Sequence, residues 1–450
     1  MQQAVSSYLK LIPFSNFNLW DVKRYYDNTQ LEFENVVSLS EILIPYRKPV
    51  TKQEMIKNKW RIISKINFSG ELFLRDFDEI NTYKGNLNLV PEDAIIYSKI
   101  NVRHGCIYYH AKGEAPFGVS SEYPTYKFDS TKVDGRFLHK LLRSGAFKKL
   151  LNTKTTGISK ARVKQNEFLD TQIPLPSIAE QRSIIEAYNA KVIEIKCLKE
   201  NAEKIDREIE EYFFQALQIK TSQKRSVSTA LKVVQFDSID KWGVEYNLGS
   251  NSNELLKSIK FPNQKLSEVV SINPITRMPK ENKTISFIPM ECVSDDYGEV
   301  VELRQKKVSE SKGYTKFQEG DLIWARITPC MQNGKSAIVR NLQNGLGCGS
   351  TEFHVIRKDS EKVNLDYVYH ILRLNAVLTN AMSHFTGSAG QQRVPKSFLE
   401  DLLIPIPPPS IQRSIADKLA DMKAKIKSLN QRALVVAQEA EKEFEKKIFG

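Results

Sequence analysis

Apolar residues recur along two stretches of this chain at steps of three, four and seven. The first stretch runs through Ile184, Tyr188, Ile195, Leu198, Ala202, Ile205, Ile209, Phe213 and Leu217. The second runs through Ile415, Leu419, Ile426, Leu429, Ala433, Val436, Ala440, Phe444 and Ile448. Each member of the second set lies 231 positions after its counterpart in the first. The spacing predicts two helices of about 40 residues, each roughly 60 Å long at 1.5 Å per residue, with a narrow coiled-coil seam. A helix with so narrow a stripe needs a partner. The nearest one is the other copy, packed as an antiparallel pair; the plainer alternative is that each helix only completes the core of its own domain.

Proline marks the entry to both helices, at Ile173-Pro174-Leu175-Pro176 and at Ile404-Pro405-Ile406-Pro407-Pro408-Pro409. These runs are stiff extended links, because Pro fixes φ and lacks a backbone N–H. Ser177-Ile178-Ala179-Glu180 then forms a capping box. In the second copy Ile411 stands where the first has Glu180, so that helix is expected to start later or to be capped by Ser410.

The rest of the chain is also written twice. Ser121-Glu122-Tyr123 returns as Thr351-Glu352-Phe353, Lys132-Val133 as Lys362-Val363, Leu142-Arg143 as Leu372-Arg373, and Gln181-Arg182-Ser183-Ile184 as Gln412-Arg413-Ser414-Ile415. Leu39-Ser40-Glu41-Ile42 matches Leu266-Ser267-Glu268-Val269, and Phe14 with Trp20 matches Phe236 with Trp242. Two copies do not make a solenoid, which needs many short units. They predict an α+β chain with two mixed α/β domains and two long antiparallel helices, related by a pseudo-twofold internal repeat. The expected segments are 1–172 for the first domain, 173–225 for the first link and central helix, 226–403 for the second domain, and 404–450 for the second link and distal helix. Ala94–Tyr97 and Leu322–Ala325 read as strands, His104-Gly105 and Asn333-Gly334 as turns, and 137–151 and 367–382 as helical. Residues shared by both copies are framework. Where the copies diverge, one scaffold carries two recognition surfaces.

Charge sharpens this division. The net charge is +13, while the two helices sum to zero. The excess therefore lies in the globular parts and in the segment holding Lys220, Lys224 and Arg225. It favours a polyanionic partner, nucleic acid first. No apolar run is long enough to span a bilayer, and 1–20 has no secretory pattern, so the expected location is cytoplasmic. Five cysteines (106, 197, 292, 330, 348) without a CxxC pair fit a reducing compartment.

The chain offers no convincing catalytic constellation. Gly334-Lys335-Ser336 looks like the end of a phosphate-binding loop, but Pro329 stands where that loop needs glycine. Asn273-Pro274-Ile275-Thr276 faintly resembles an amino-methyltransferase motif, but it lacks the second Pro and the aromatic, so it reads as a turn. The six histidines show no metal-ligand spacing, and no metal site is expected. Basic and amide residues in the turn-rich stretches are the better candidates, since Arg and Lys pair with guanine edges and Gln with adenine edges. The candidates are Lys99, Arg103, Lys160, Arg162, Arg326, Lys335, Gln391, Gln392 and Arg393. The same stretches, Thr156–Val163 and Thr386–Val394, are equally suited to closing each domain onto its Pro link.

Together, the Gly320-Asp321-Leu322-Ile323 strand start, Gly349–Phe353, the Thr386-Gly387 loop, the Ile-Pro-Leu-Pro link, Glu180-Gln181-Arg182 and the paired helices resemble the DNA-specificity subunit of type I restriction–modification systems. The resemblance implies two target-recognition domains, each reading half of a bipartite DNA site. It implies that the helices set the spacing and dock two methyltransferase subunits, and that a motor–nuclease subunit joins them. S-adenosylmethionine, ATP and Mg then belong to those partners, with no cofactor and no catalysis in this chain. Pro91-Glu92-Asp93 replaces the Gly-Asp strand start in the first copy, a departure from the pattern. Two other readings stay open: a single-chain modification enzyme, and a non-catalytic coiled-coil scaffold that binds nucleic acid without sequence preference.

Overall fold

The computed structural model of the chain describes residues 35–152, 163–219, 255–296, 298–387 and 391–450. It divides into two units: one is the chain up to Cys197 together with Ala433–Gly450, the other is Leu198–Arg432. Phe14, Trp20, Lys160, Arg162, Lys220, Lys224, Arg225, Phe236 and Trp242 lie outside the described residues.

In the first unit, the central antiparallel sheet runs Leu43–Tyr46, Thr125–Phe128, Ala94–Tyr97, Ile107–His110. The continuous apolar run Ala94-Ile95-Ile96-Tyr97 is buried on both faces, as an inner strand should be. A second, mixed sheet orders Pro49–Val50, Leu87–Val90, Phe117–Val119, Arg61–Ile66 and Leu72–Leu74, with one parallel pair. The Pro link itself is a strand: Ile173 pairs with Val37 and Pro174 with Val36.

The second unit repeats this plan. Its central antiparallel sheet runs Val270–Ile272, Phe353–Lys358, Leu322–Ala325, Ser336–Ile338, the same positional order as in the first. Ile404 pairs with Gln264 in the second link strand. A mixed sheet of Arg304–Lys307, Thr284–Ile288, Leu346–Gly349 and Thr315–Gln318 again holds one parallel pair. The chain is thus α+β, with mixed sheets and two long packed helices.

The repeated sequence motifs have identifiable work. Gln181 is fully buried; its Oε1 accepts from the Asp134 N–H at 2.9 Å, and its Nε2 donates to the Lys132 and Pro176 carbonyls at 2.9 and 2.8 Å. Gln412 repeats all three bonds with Asn364, Lys362 and Pro407 at 2.8, 2.7 and 2.8 Å. Each glutamine ties its Pro link to the N-cap residue of a core helix, Asp134 before Gly135–Leu142 and Asn364 before Leu365–Leu372. The repeated Leu-Arg pair ends that helix. The expected single helices at 137–151 and 367–382 are each broken in two, at Arg143 and Arg373. There the arginine turns inward: Arg143 donates to the Gly105 carbonyl at 3.2 Å, and Arg373 to the Gly334 carbonyl. Gly105 and Gly334 are the predicted turn glycines, with φ of +87° and +69°.

The central helix spans Ile178–Leu217 and the distal helix Pro409–Phe449. The capping box forms at Ser177 and Glu180, with Ser177 N–H donating to Glu180 Oε2 at 2.9 Å. The distal helix departs from expectation. It begins at Pro409, the counterpart of Ile178, and Ser410 lies inside it. Proline suits the first helical position because its missing N–H has no partner to lose there. The helices run antiparallel: in the first unit the Tyr188 hydroxyl donates to Glu441 at 2.9 Å and Lys191 pairs with Glu443 at 2.6 Å, and in the second Lys423 bonds Asp206 at 2.8 Å. Ile184, Ala202, Ile209, Phe213, Leu217, Ile415, Leu419, Ile426, Ala433, Val436, Ala440, Phe444 and Ile448 are buried, and Tyr188, Ile195, Leu198, Ile205 and Leu429 are half-buried.

Two buried histidines predict a pH response. His139 and His370 lie on the corresponding core helices, one position out of register with each other, and burial, aided by Arg143 beside one and by Arg373 and Lys423 beside the other, lowers each ring to about 4. Both are neutral when folded and take up a proton on unfolding near pH 6.5. Their contribution is constant above about pH 6.5, is lost progressively as pH falls toward 4, and changes no further below that. At pH 5 the loss is about 2 kcal/mol per histidine. Urea midpoints at pH 7 and pH 5 measure it, and His370→Gln should flatten the slope for the second unit.

Candidate nucleic-acid interface

In each unit the sheet delivers a set of loops to one end. In the second unit these are 273–277 after Val270–Ile272, 326–335 after Leu322–Ala325, 350–352 before Phe353–Lys358, and the segment around Arg393. That segment is joined by backbone bridges of Arg393 with Ile327 and Thr386. Antiparallel pairing of Ile272 with Ile356 and of Ala325 with Phe353 fixes these loops at the same end.

Glu352 is the hub. Arg393 grips its carboxylate through Nε at 2.9 Å and Nη2 at 2.8 Å, and Arg326 Nε reaches it at 3.2 Å. Arg393 first, with help from Arg326, holds this carboxyl below the usual carboxylate range although burial opposes it. Both arginine side chains keep about a third of their surface exposed. Arg393 Nη1 also donates to the Gln391 carbonyl at 2.8 Å, Gln392 accepts from the Thr328 N–H at 3.0 Å, and the Val394 N–H donates to the Arg326 carbonyl at 2.8 Å. Arg326, Gln391, Gln392 and Arg393 thus come together. Gln391 is exposed, whereas the arginines brace one loop against another. Lys335 is half-buried at the same end, its Nζ 3.3 Å from the Met290 carbonyl, rather than turned to solvent.

The first unit repeats the frame. The Lys99 N–H donates to the Glu122 carbonyl at 3.1 Å, as the Arg326 N–H does to the Glu352 carbonyl at 2.9 Å. Arg103 sits in the following turn, with Nε 3.1 Å from His104 Nε2. Arg47 and Lys48, exposed after Leu43–Tyr46, share this end of the sheet.

The Gly-Asp strand start is structural. Gly320 has φ of +82°, and buried Asp321 takes a bidentate pair from Arg357 at 2.8 and 2.7 Å. In the first unit Asp93, itself at φ +51°, accepts from the Tyr109 hydroxyl at 2.7 Å instead. Asp93 matches Gly320 in register and in its positive φ, and Ala94 stands where Asp321 does, so the first unit has no counterpart of the ion pair at that position.

Sequence reading took Asn273–Thr276 as a turn and gave Ile275 no role toward DNA, and it passed over Lys306, which lies 4.2 and 4.3 Å from the ring centres of Phe287 and Tyr314. The signal for the loop tip was present as an apolar residue inside a turn. Among the described residues no group of His, Cys, Asp and Glu could hold a metal ion, and no helix is long and apolar enough to cross a membrane.

Residues 260–438 match the family described as the type I restriction modification DNA specificity domain. Most of the second unit is thus similar to a type I DNA-specificity domain. The chain is similar to two Escherichia coli proteins, the specificity subunits of type I restriction enzymes EcoEI and EcoAI. They are 39% and 38% identical to it over 170 residues, or 38% of this chain and 29% of each relative. A chain from a solved structure on complex assembly and conformational transition of the type I R-M system aligns over 92% of this chain and 95% of its own length, with a TM-score of 0.55 and 15% identity. That likeness is one of fold, and it extends over both units.

Proposed function

We propose that this chain is the DNA-reading subunit of a type I restriction–modification complex. The observation that carries the reading is the duplicated sheet end, found in a chain whose second copy is similar to a specificity domain. The second end presents basic and amide side chains around Glu352, and the first presents Arg47, Lys48, Lys99 and Arg103, on loops whose sequences differ between copies. One frame with two dissimilar surfaces suits two unlike halves of a bipartite site, read by target-recognition domains at 1–172 and 226–403. Lys99, Arg103, Lys160 and Arg162 would serve one half, and Arg326, Lys335, Gln391, Gln392 and Arg393 the other. Arg326 and Arg393 act first by holding the loop that Gln391 tips, since Glu352 occupies their guanidinium groups.

The segments 173–225 and 404–450, each a Pro link with its long helix, set the spacing between halves and dock two modification subunits. Arg182-Ser183 and Arg413-Ser414 are exposed and identical in both copies, as two equal docking sites require. Exposed Val192, Ile193, Leu434 and Val435 add apolar surface to the helices outside the seam. The methyl donor, ATP and Mg, and the cleavage step, belong to the partner subunits.

An adenine-methylation map of the host genome, with and without this gene, tests the reading. Loss of methylation at one split motif is expected, and exchange of residues 1–172 for those of another subunit should change one half of that motif only. A change in both halves or in neither excludes two independent readers. Equal affinity for any duplex at fixed salt would return the chain to a non-specific scaffold, because phosphate contacts alone carry no sequence information.

A further inference from the structure

We infer that Ile275 is a base-reading residue of the second unit, one that recognises the 5-methyl group of a thymine in the major groove; this rests on the DNA-reading function proposed above. Ile275 is 90% exposed, the most exposed large apolar side chain among the described residues. A single exposed apolar residue is ordinarily unremarkable. This one is presented by a braced loop. Asn273, at φ +55°, exchanges backbone bonds with Val355 through its N–H at 2.7 Å and its Oδ1 at 2.9 Å, and its Nδ2 lies 3.0 Å from His354 Nδ1. On the other side Thr276 is buried, its hydroxyl taking a bond from Arg357 at 2.8 Å and giving one to the Lys316 carbonyl at 3.3 Å. Both neighbours of the tip are therefore fixed, and Ile275 is held outward beside exposed Arg277.

The loop lies at the sheet end that carries Arg326, Gln391 and Arg393. Strand register identifies its counterpart. Ile272 lies opposite Ile356 as Pro45 lies opposite Tyr126, so the position three residues on is Ile275 in one unit and Lys48 in the other. Lys48 is exposed as well. One braced position thus presents an apolar tip in the second unit and a cationic tip in the first. An apolar side chain gains nothing from phosphate or from a polar base edge. The apolar group on offer in the major groove is the thymine methyl. A wedge between base pairs does not fit, since Pro274 is half-buried and Thr276 is pinned inward, leaving one side chain without apolar neighbours.

The test uses the full chain, its selected duplex, and deoxyuridine placed at each thymine in turn, which deletes only the methyl group. At one thymine the wild-type affinity should fall about fourfold, the worth of one buried methyl. Ile275→Ala should bind the thymine and deoxyuridine duplexes alike, and Lys48→Ala should keep the wild-type sensitivity there. Unchanged melting of Ile275→Ala verifies that the fold is kept. If wild type and Ile275→Ala respond equally at every thymine, or if Ile275→Ala weakens all duplexes by the same factor with its deoxyuridine sensitivity intact, the inference is overturned. If the wild type selects no motif at all, the DNA-reading function itself fails and this inference with it.

Discussion

Gln181→Leu should lower the unfolding free energy of the first unit by roughly 3–5 kcal/mol, and Gln412→Leu should do the same in the second. Leucine fills much of the same space, so no large cavity opens. What is lost is polar satisfaction: the Asp134 N–H and the Lys132 and Pro176 carbonyls are left without their partners in a buried place. Each such group costs about 1–3 kcal/mol when stranded. Gln181→Glu is a sharper variant, because a carboxylate cannot donate to the two carbonyls and its charge would be buried. The neighbouring Arg182 is exposed, and Arg182→Ala should stay within about 0.5 kcal/mol of wild type. Urea denaturation followed by fluorescence separates these cases. A small effect at Gln181 would mean that the link is held by its strand pairing with Val36–Ser38 alone.

The second large effect concerns spacing. Inserting seven residues into both long helices, near Ala202 and Ala433, keeps the seam in phase because seven is its repeat. It lengthens the helix pair by about 10 Å, close to three base pairs of duplex. On the proposed ruler, the preferred gap between half-sites grows by about three base pairs while each half keeps its sequence. Affinity for the original site should fall roughly 100-fold or more, since three base pairs also turn one half-site about a third of the way around the duplex. Insertion in one helix alone leaves the seam mispaired and should unfold the pair. A folded double variant that still selects the original gap would remove the ruler from the mechanism.

Much of the scaffold could be read from the chain because repetition marks what the fold cannot lose. Gln181 with Gln412 and Arg143 with Arg373 recur because each makes the same buried bonds twice. The inner strands were legible as continuous apolar runs. The mixed sheets were not: Pro49–Val50 and Phe117–Val119 are too short to show a period, and their pairing is set by distant partners. The breaks at Arg143 and Arg373 were hidden as well, since local helix preference does not show where an arginine will turn inward. At the candidate interface, charge pointed to Arg326 and Arg393 but not to the Glu352 that occupies them. Ile275 was legible only as part of a turn, because base-reading residues are usually sought among charges and amides.

The division of the long helices has a consequence for how the protein is made. Phe444 and Ile448, from the last turns of the distal helix, complete the core around Phe137, Leu141 and Ile184 in the first unit. They leave the ribosome only after the roughly 235 residues of Leu198–Arg432, a delay of some 12–47 s at ordinary elongation rates. The second unit closes on residues made without that interruption. The first unit therefore stays open while its neighbour is synthesised, with the apolar surface of Phe137 and Tyr188 uncovered. Emergence of the distal helix, rather than of its own sheet, sets the moment at which it can finish folding.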